Sequence, residues 1–110
     1  MAIDGNIYVL FGDGTIKKYF KGVEETFTVS GLPKPYEELG QPTLLSTDSG
    51  AAAVYVYDAT NKRIVELDTS GVYKRQFALP EEWDVKDMFV SGAAKKLWVL
   101  VGNSVYEIAL

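Results

Sequence analysis

The chain contains neither histidine nor cysteine, and that decides most of the chemistry open to it. A Ser-His-Asp triad, a Cys-His pair, a histidine base and a thiolate zinc site all need residues that are absent. Oxygen ligands remain. Asp48, Asn61, Asp87 and Asn103 are the side chains that could hold a hard cation such as calcium. No Asp-x-Asp-x-Asp-Gly loop gathers them, and Asp and Asn in turns usually satisfy their own backbone. No metal site is therefore assigned, and calcium is the one cofactor left open. Gly12-Asp13-Gly14 is too short to cradle a phosphate and precedes a strand rather than a helix, so it reads as a hairpin turn. No residue is assigned a catalytic role.

Binding chemistry is easier to place. Residues Ser30 to Pro42 hold three of the four prolines, Pro33, Pro35 and Pro42, which restrict the backbone and present Tyr36, Glu37 and Glu38 at low entropic cost. Leu79-Pro80-Glu81-Glu82-Trp83-Asp84 has the same make-up further along. Each stretch sets an aromatic beside carboxylates, a combination that suits a cationic or carbohydrate ligand. The plainer reading is that Tyr36 and Trp83 cap the core while the acids keep the loops hydrated. Tyr36, Glu37, Glu38, Glu81, Glu82, Trp83 and Asp84 are the candidate ligand-binding residues.

The elements that must position these loops repeat. Ile7-Tyr8-Val9-Leu10, Val54-Tyr55-Val56-Tyr57 and Leu97-Trp98-Val99-Leu100 stand 47 and then 43 residues apart, a spacing that fits one propeller blade rather than a helical repeat. Ser49-Gly50-Ala51-Ala52 returns as Ser91-Gly92-Ala93-Ala94, and Leu32-Pro33 as Leu79-Pro80. Short apolar runs separated by turn residues, without a helical period, predict an all-β chain. The central repeat reads as four strands: Thr43 to Thr47, Val54 to Tyr57, Arg63 to Leu67 and Val72 to Phe77. The first gives three, Asn6 to Phe11, Thr15 to Phe20 and Glu24 to Val29; the last gives Lys86 to Val90, Leu97 to Val101 and Ser104 to Ile108. The second strand of each unit is apolar at successive positions, so both faces of its sheet need covering. Tyr8, Tyr55 and Trp98 recur at one position and are read as packing between sheets.

Composition narrows the partners. The chain is 47% hydrophobic and 13% aromatic, enough for a packed core and against disorder. Fifteen acidic and eleven basic residues give a net charge of −4, with the bases scattered, so nucleic acid and anionic membrane are not expected partners. No apolar run approaches the length of a bilayer span, and Met1-Ala2-Ile3-Asp4 is no signal peptide. Lack of cysteine does not fix the compartment, and localisation stays open, leaning cytoplasmic.

Asp4-Gly5-Asn6-Ile7-Tyr8-Val9 resembles the Asp-Gly-Asn-Ile-Tyr-Val phrase of NHL-type β-propellers. Val54 to Asp58, Asn61 to Asp68 and Gly71 are similar to the central stretch of the same blades. The resemblance spans nearly the whole chain. It implies four-stranded antiparallel meander blades, with the first strand of each lining a central channel and the fourth facing outward. It also implies that the connections from second to third strand, and from a fourth strand to the next unit's first, gather on one ligand-presenting rim. One domain is expected over residues 1–110, a partial β-propeller with repeats at approximately 3–31, 42–79 and 85–110.

Two to three blades would leave apolar sheet faces wet. Self-association into a closed ring is expected, with a homodimer of about six blades the leading form and five the other count. The functional expectation is a non-catalytic module for protein or small-ligand binding, with a fragment of a longer signalling or sensor protein as one form of it. The alternative is a calcium-dependent propeller enzyme of the lyase or lactonase type.

Overall fold

The computed structural model describes residues 2–3, 7–11, 15–34, 39–40, 42–48, 53–91 and 95–109. Its eleven strands are β1 (Ala2–Ile3), β2 (Ile7–Leu10), β3 (Ile16–Phe20), β4 (Val23–Glu25), β5 (Pro42–Asp48), β6 (Ala53–Asp58), β7 (Arg63–Leu67), β8 (Tyr73–Ala78), β9 (Val85–Ser91), β10 (Lys96–Val101) and β11 (Ser104–Ala109). No helix occurs among the described residues. The strands form three antiparallel meanders: sheet 1 (β1 to β4), sheet 2 (β5 to β8) and sheet 3 (β9 to β11). The short connections explain the topology, because a tight turn returns the chain antiparallel beside the strand it has just left. At Lys21-Gly22 both turn residues have positive φ, 52° and 81°. That backbone matches the right-handed twist of β3 and β4, whose Phe20 and Val23 pair directly across it.

Sheet 2 is covered on both faces. Val54, Val56, Val65 and Leu67 pack with Tyr8, Ile16 and Leu32 in one core, while Ala53, Tyr55, Tyr57 and Ile64 pack with Val85, Met88, Val90, Leu97 and Val99 in the other. Strict alternation along β6 divides its residues between these cores. Each fully buried Val, Ile or Leu contributes about 1.5 to 3 kcal/mol relative to exposure, so the two seams together dominate the cohesion of the stack. Strand β5 lies against both β1 and β9, which brings the first strands of the three sheets together. Exposure grows toward the fourth strands: β4 is exposed throughout and β8 mostly so.

One charged pair is buried within sheet 2. Asp58 Oδ2 accepts from Arg63 Nε at 3.1 Å, from Asn61 Nδ2 at 2.9 Å and from the Gly40 amide at 3.0 Å. Arg63 also donates to Gln76 Oε1 at 2.9 Å. These bonds satisfy groups that would otherwise be costly to bury. Gly40 thereby ties the proline-rich connection to the turn between β6 and β7.

The end of sheet 1 departs from the sequence expectation. The last of the three strands expected in the first unit runs over Glu24 to Val29, yet pairing with β3 stops at Glu25. The chain then crosses to sheet 2. Thr28 donates to the Ser70 carbonyl, Ser30 donates to that of Gly71, and Tyr73 donates back to Ser30, forming a parallel bridge between Ser30 and Val72. Phe27 and Val29 turn inward against the core shared by sheets 1 and 2. Their alternation with Thr26 and Thr28 follows from one buried face, but the backbone bonds go to a different sheet.

Candidate functional site

The repeat gives each sheet a direction. Tyr8 on β2 faces sheet 2, and Tyr55 on β6 faces sheet 3. Trp98 holds the same place on β10 and faces away from the stack. Its neighbours on β10, Leu97 and Val99, are fully buried against sheet 2, so alternation turns Trp98 and Leu100 outward. Cross-strand pairs extend this outer face: Trp98 lies opposite Phe89 and Glu107, and Leu100 opposite Asp87 and Val105. Phe89 is 62% exposed and Val105 65%. Phe89 and Trp98 stack with ring centres 5.9 Å apart. Beside them a shallow hollow of about 200 Å³ is lined chiefly by Met88, Phe89, Trp98, Leu100 and Val105. An ion pair between Lys96 and Glu107, at 2.7 Å, lies at one side.

Sheet 1 presents the opposite kind of face. Ile7 and Val9, the counterparts of Val54 and Val56, point away from sheet 2 and are only half-buried. Tyr19 lies opposite Ile7 and Lys17 opposite Val9. Lys17 sits 5.6 Å from the centre of the exposed Phe11 ring and 3.8 Å from Glu24.

Within the stack, the position corresponding to Trp98 shows what covering does to a side chain. Tyr55 is buried, and that burial, reinforced by the negative charge of Glu66, pushes its phenol up to about 12. Glu66 is held by Arg75 at 2.7 Å and Lys74 at 3.5 Å. The hydrogen bond to Glu66 in turn raises the Arg75 guanidinium above its ordinary value. An aromatic next to a carboxylate thus recurs as Tyr55 with Glu66 and as Trp98 with Glu107, covered in one sheet and open in the next.

The loop candidates are distributed differently. Trp83 is half-buried and stacks on Tyr106 of β11 at 4.3 Å, its carbonyl accepting from Lys62 Nζ at 3.1 Å. Its ring closes the end of the core between sheets 2 and 3. Glu81 and Glu82 are exposed in the turn before it. Asp84 bonds Lys86 Nζ at 2.6 Å; that bond and the lysine's charge hold its carboxyl below the usual range, and the reciprocal bond raises Lys86. Tyr36, Glu37 and Glu38 lie outside the described residues, as does the Gly12-Asp13-Gly14 turn.

Of the possible cation ligands, Asn61 bonds Asp58, Asp87 accepts from the Met88 amide at 2.8 Å, and Asn103 is exposed in the turn between β10 and β11. The side chain of Asp48 lies outside the described residues. Among the described residues no three acidic groups converge on one point.

Sequence reasoning did not single out Phe89, Val105 or Tyr106. A signal was available in Met88-Phe89-Val90, an uninterrupted apolar run that, like those of the second strands, asks for cover on both faces. No protein-family model matches the chain, and no curated protein matches it.

Proposed function

We propose that this chain is a non-catalytic β-propeller segment that completes a closed ring with a second copy of itself and presents the ring's loops for protein or small-ligand binding. The observation that carries this reading is the contrast between matching positions. Apolar side chains fully buried between sheets inside the stack recur, only half-buried or exposed, on the outward faces of sheets 1 and 3. Aromatic faces of this kind are characteristic of association surfaces.

Three meanders with their first strands gathered and their outer strands exposed support reading them as successive blades. Three sheets per chain make a two-copy ring of six, within the usual range for propellers. The NHL-like phrases at Asp4 to Val9 and Val54 to Asp68 support the same architecture. In such a ring Glu81, Glu82, Trp83 and Asp84 lie on a loop joining two blades, where ligand-binding groups are commonly displayed.

Sedimentation equilibrium across the micromolar range is the test. A species of about twice the 12.1 kDa chain mass is expected, and a clean monomer at all concentrations would overturn the self-assembly reading.

A further inference from the structure

We infer that the contact between copies is directional: the Trp98 face of sheet 3 in one copy packs on the Ile7 and Val9 face of sheet 1 in the next, and neither face pairs with its own kind. This rests on the ring reading and specifies how it is built. Two seams already present in the chain supply the argument. In each, one sheet offers the face that carries an aromatic on its second strand, Tyr8 or Tyr55. The following sheet answers with two aliphatic residues flanking the corresponding position, Val54 with Val56 or Leu97 with Val99. Aromatic face meets aliphatic face in both. Among the described residues, no sheet packs on the aromatic outer face of sheet 3 or on the aliphatic outer face of sheet 1. A second copy supplies the missing element at both ends.

The same direction suits the surface relief. Phe89, Trp98 and Val105 rim a hollow on sheet 3, whereas Ile7, Val9 and Tyr19 pave the pleated surface of sheet 1. Heterologous contacts of this type close into a ring when the rotation from unit to unit is right. Here that rotation is set by the internal seams.

The experiment uses one blocked face at a time. Val105→Glu, with Phe89→Glu as its second version, places a carboxylate on the sheet 3 face. Phe11→Glu, with Val9→Glu as its second version, does so on the sheet 1 face. Val105, Phe89 and Phe11 are each at least 40% exposed, so their replacement leaves the fold intact; near-ultraviolet circular dichroism from the stacked Trp83 and Tyr106 verifies this for every variant. Native mass spectrometry and sedimentation then read assembly. Each variant alone is expected to be monomeric where the parent protein is dimeric, and an equimolar mixture is expected to form a one-to-one heterodimer through its one intact pair of faces. A dimer of the Phe11→Glu protein alone would show sheet 3 pairing with sheet 3, and a dimer of the Val105→Glu protein alone would show sheet 1 pairing with sheet 1. Either result overturns the direction while leaving self-association standing. A mixture that stays monomeric up to the solubility of the variants also overturns it. Monomeric parent protein instead removes the ring reading itself.

Discussion

Ile64 and Val105 occupy corresponding places in sheets 2 and 3, opposite Tyr57 and Leu100 of the second strands, yet Ile64 is fully buried and Val105 is 65% exposed. Tyr55 and Trp98 repeat the contrast one pair along. The two regions have similar residue types and the same antiparallel geometry. What separates them is whether another sheet lies alongside. In a stacked repeat, burial is a property of the neighbour as much as of the residue. One pattern of side chains can therefore form core in one unit and exposed surface in the next.

The largest effect is expected where cover is most complete. Arg63→Met leaves the Asp58 carboxylate buried without its cation, and breaking such a pair costs about 3 to 5 kcal/mol, read as a lowered urea midpoint. The matched truncations Ile64→Ala and Val105→Ala test the comparison itself. Loss of about 2 to 4 kcal/mol is expected for Ile64, against less than about 0.5 kcal/mol for Val105 when measured in dilute protein. Equal losses would show that sheet 3 is already covered. Gly71→Ala probes the strap between sheets 1 and 2. Gly71 has φ of +98°, and an added Cβ would lie 2.3 Å from the Thr28 carbonyl oxygen. A loss of about 1 to 3 kcal/mol is expected, together with faster amide exchange at Thr28, Ser30 and Tyr73.

A further effect is confined to high pH. The folded Tyr55 phenol ionises at about 12 rather than at its ordinary 10.0. The proton is therefore held more tightly in the folded state. The stability this provides is intact below pH 10 and is lost as pH rises toward 12. Thermal melts between pH 9 and 12 should show that decline, and Tyr55→Phe should flatten it.

Much of this fold was legible in the sequence, and sheet 2 most of all. Its third strand is read at Arg63 to Leu67 and is observed there, because an apolar run bounded by Asn61-Lys62 and Asp68 to Gly71 leaves few other solutions. Thr26 to Val29 misled for a physical reason. Alternation reports that one side of a segment is buried, but not which strand receives its backbone hydrogen bonds. The additional strand, β1, is only two residues long, too short to carry a pattern. At the candidate site, the sequence indicated that the second strands need cover on both faces. It could not indicate which faces would be left bare, since that depends on the order in which sheets stack. The stacking of Trp83 on Tyr106 was equally hidden, because nothing in either local sequence marks the other.

Every strand pairing within the three sheets joins segments adjacent along the chain. No sheet needs a distant segment threaded into its middle, so the loops to be closed are small and their entropic cost is low. Each meander can nucleate locally, and the slow event becomes the meeting of preformed faces. Sheet 2 takes part in both such meetings, which makes it the last unit to be released on unfolding. The order of folding thus follows from connectivity: hairpins first, stacking second.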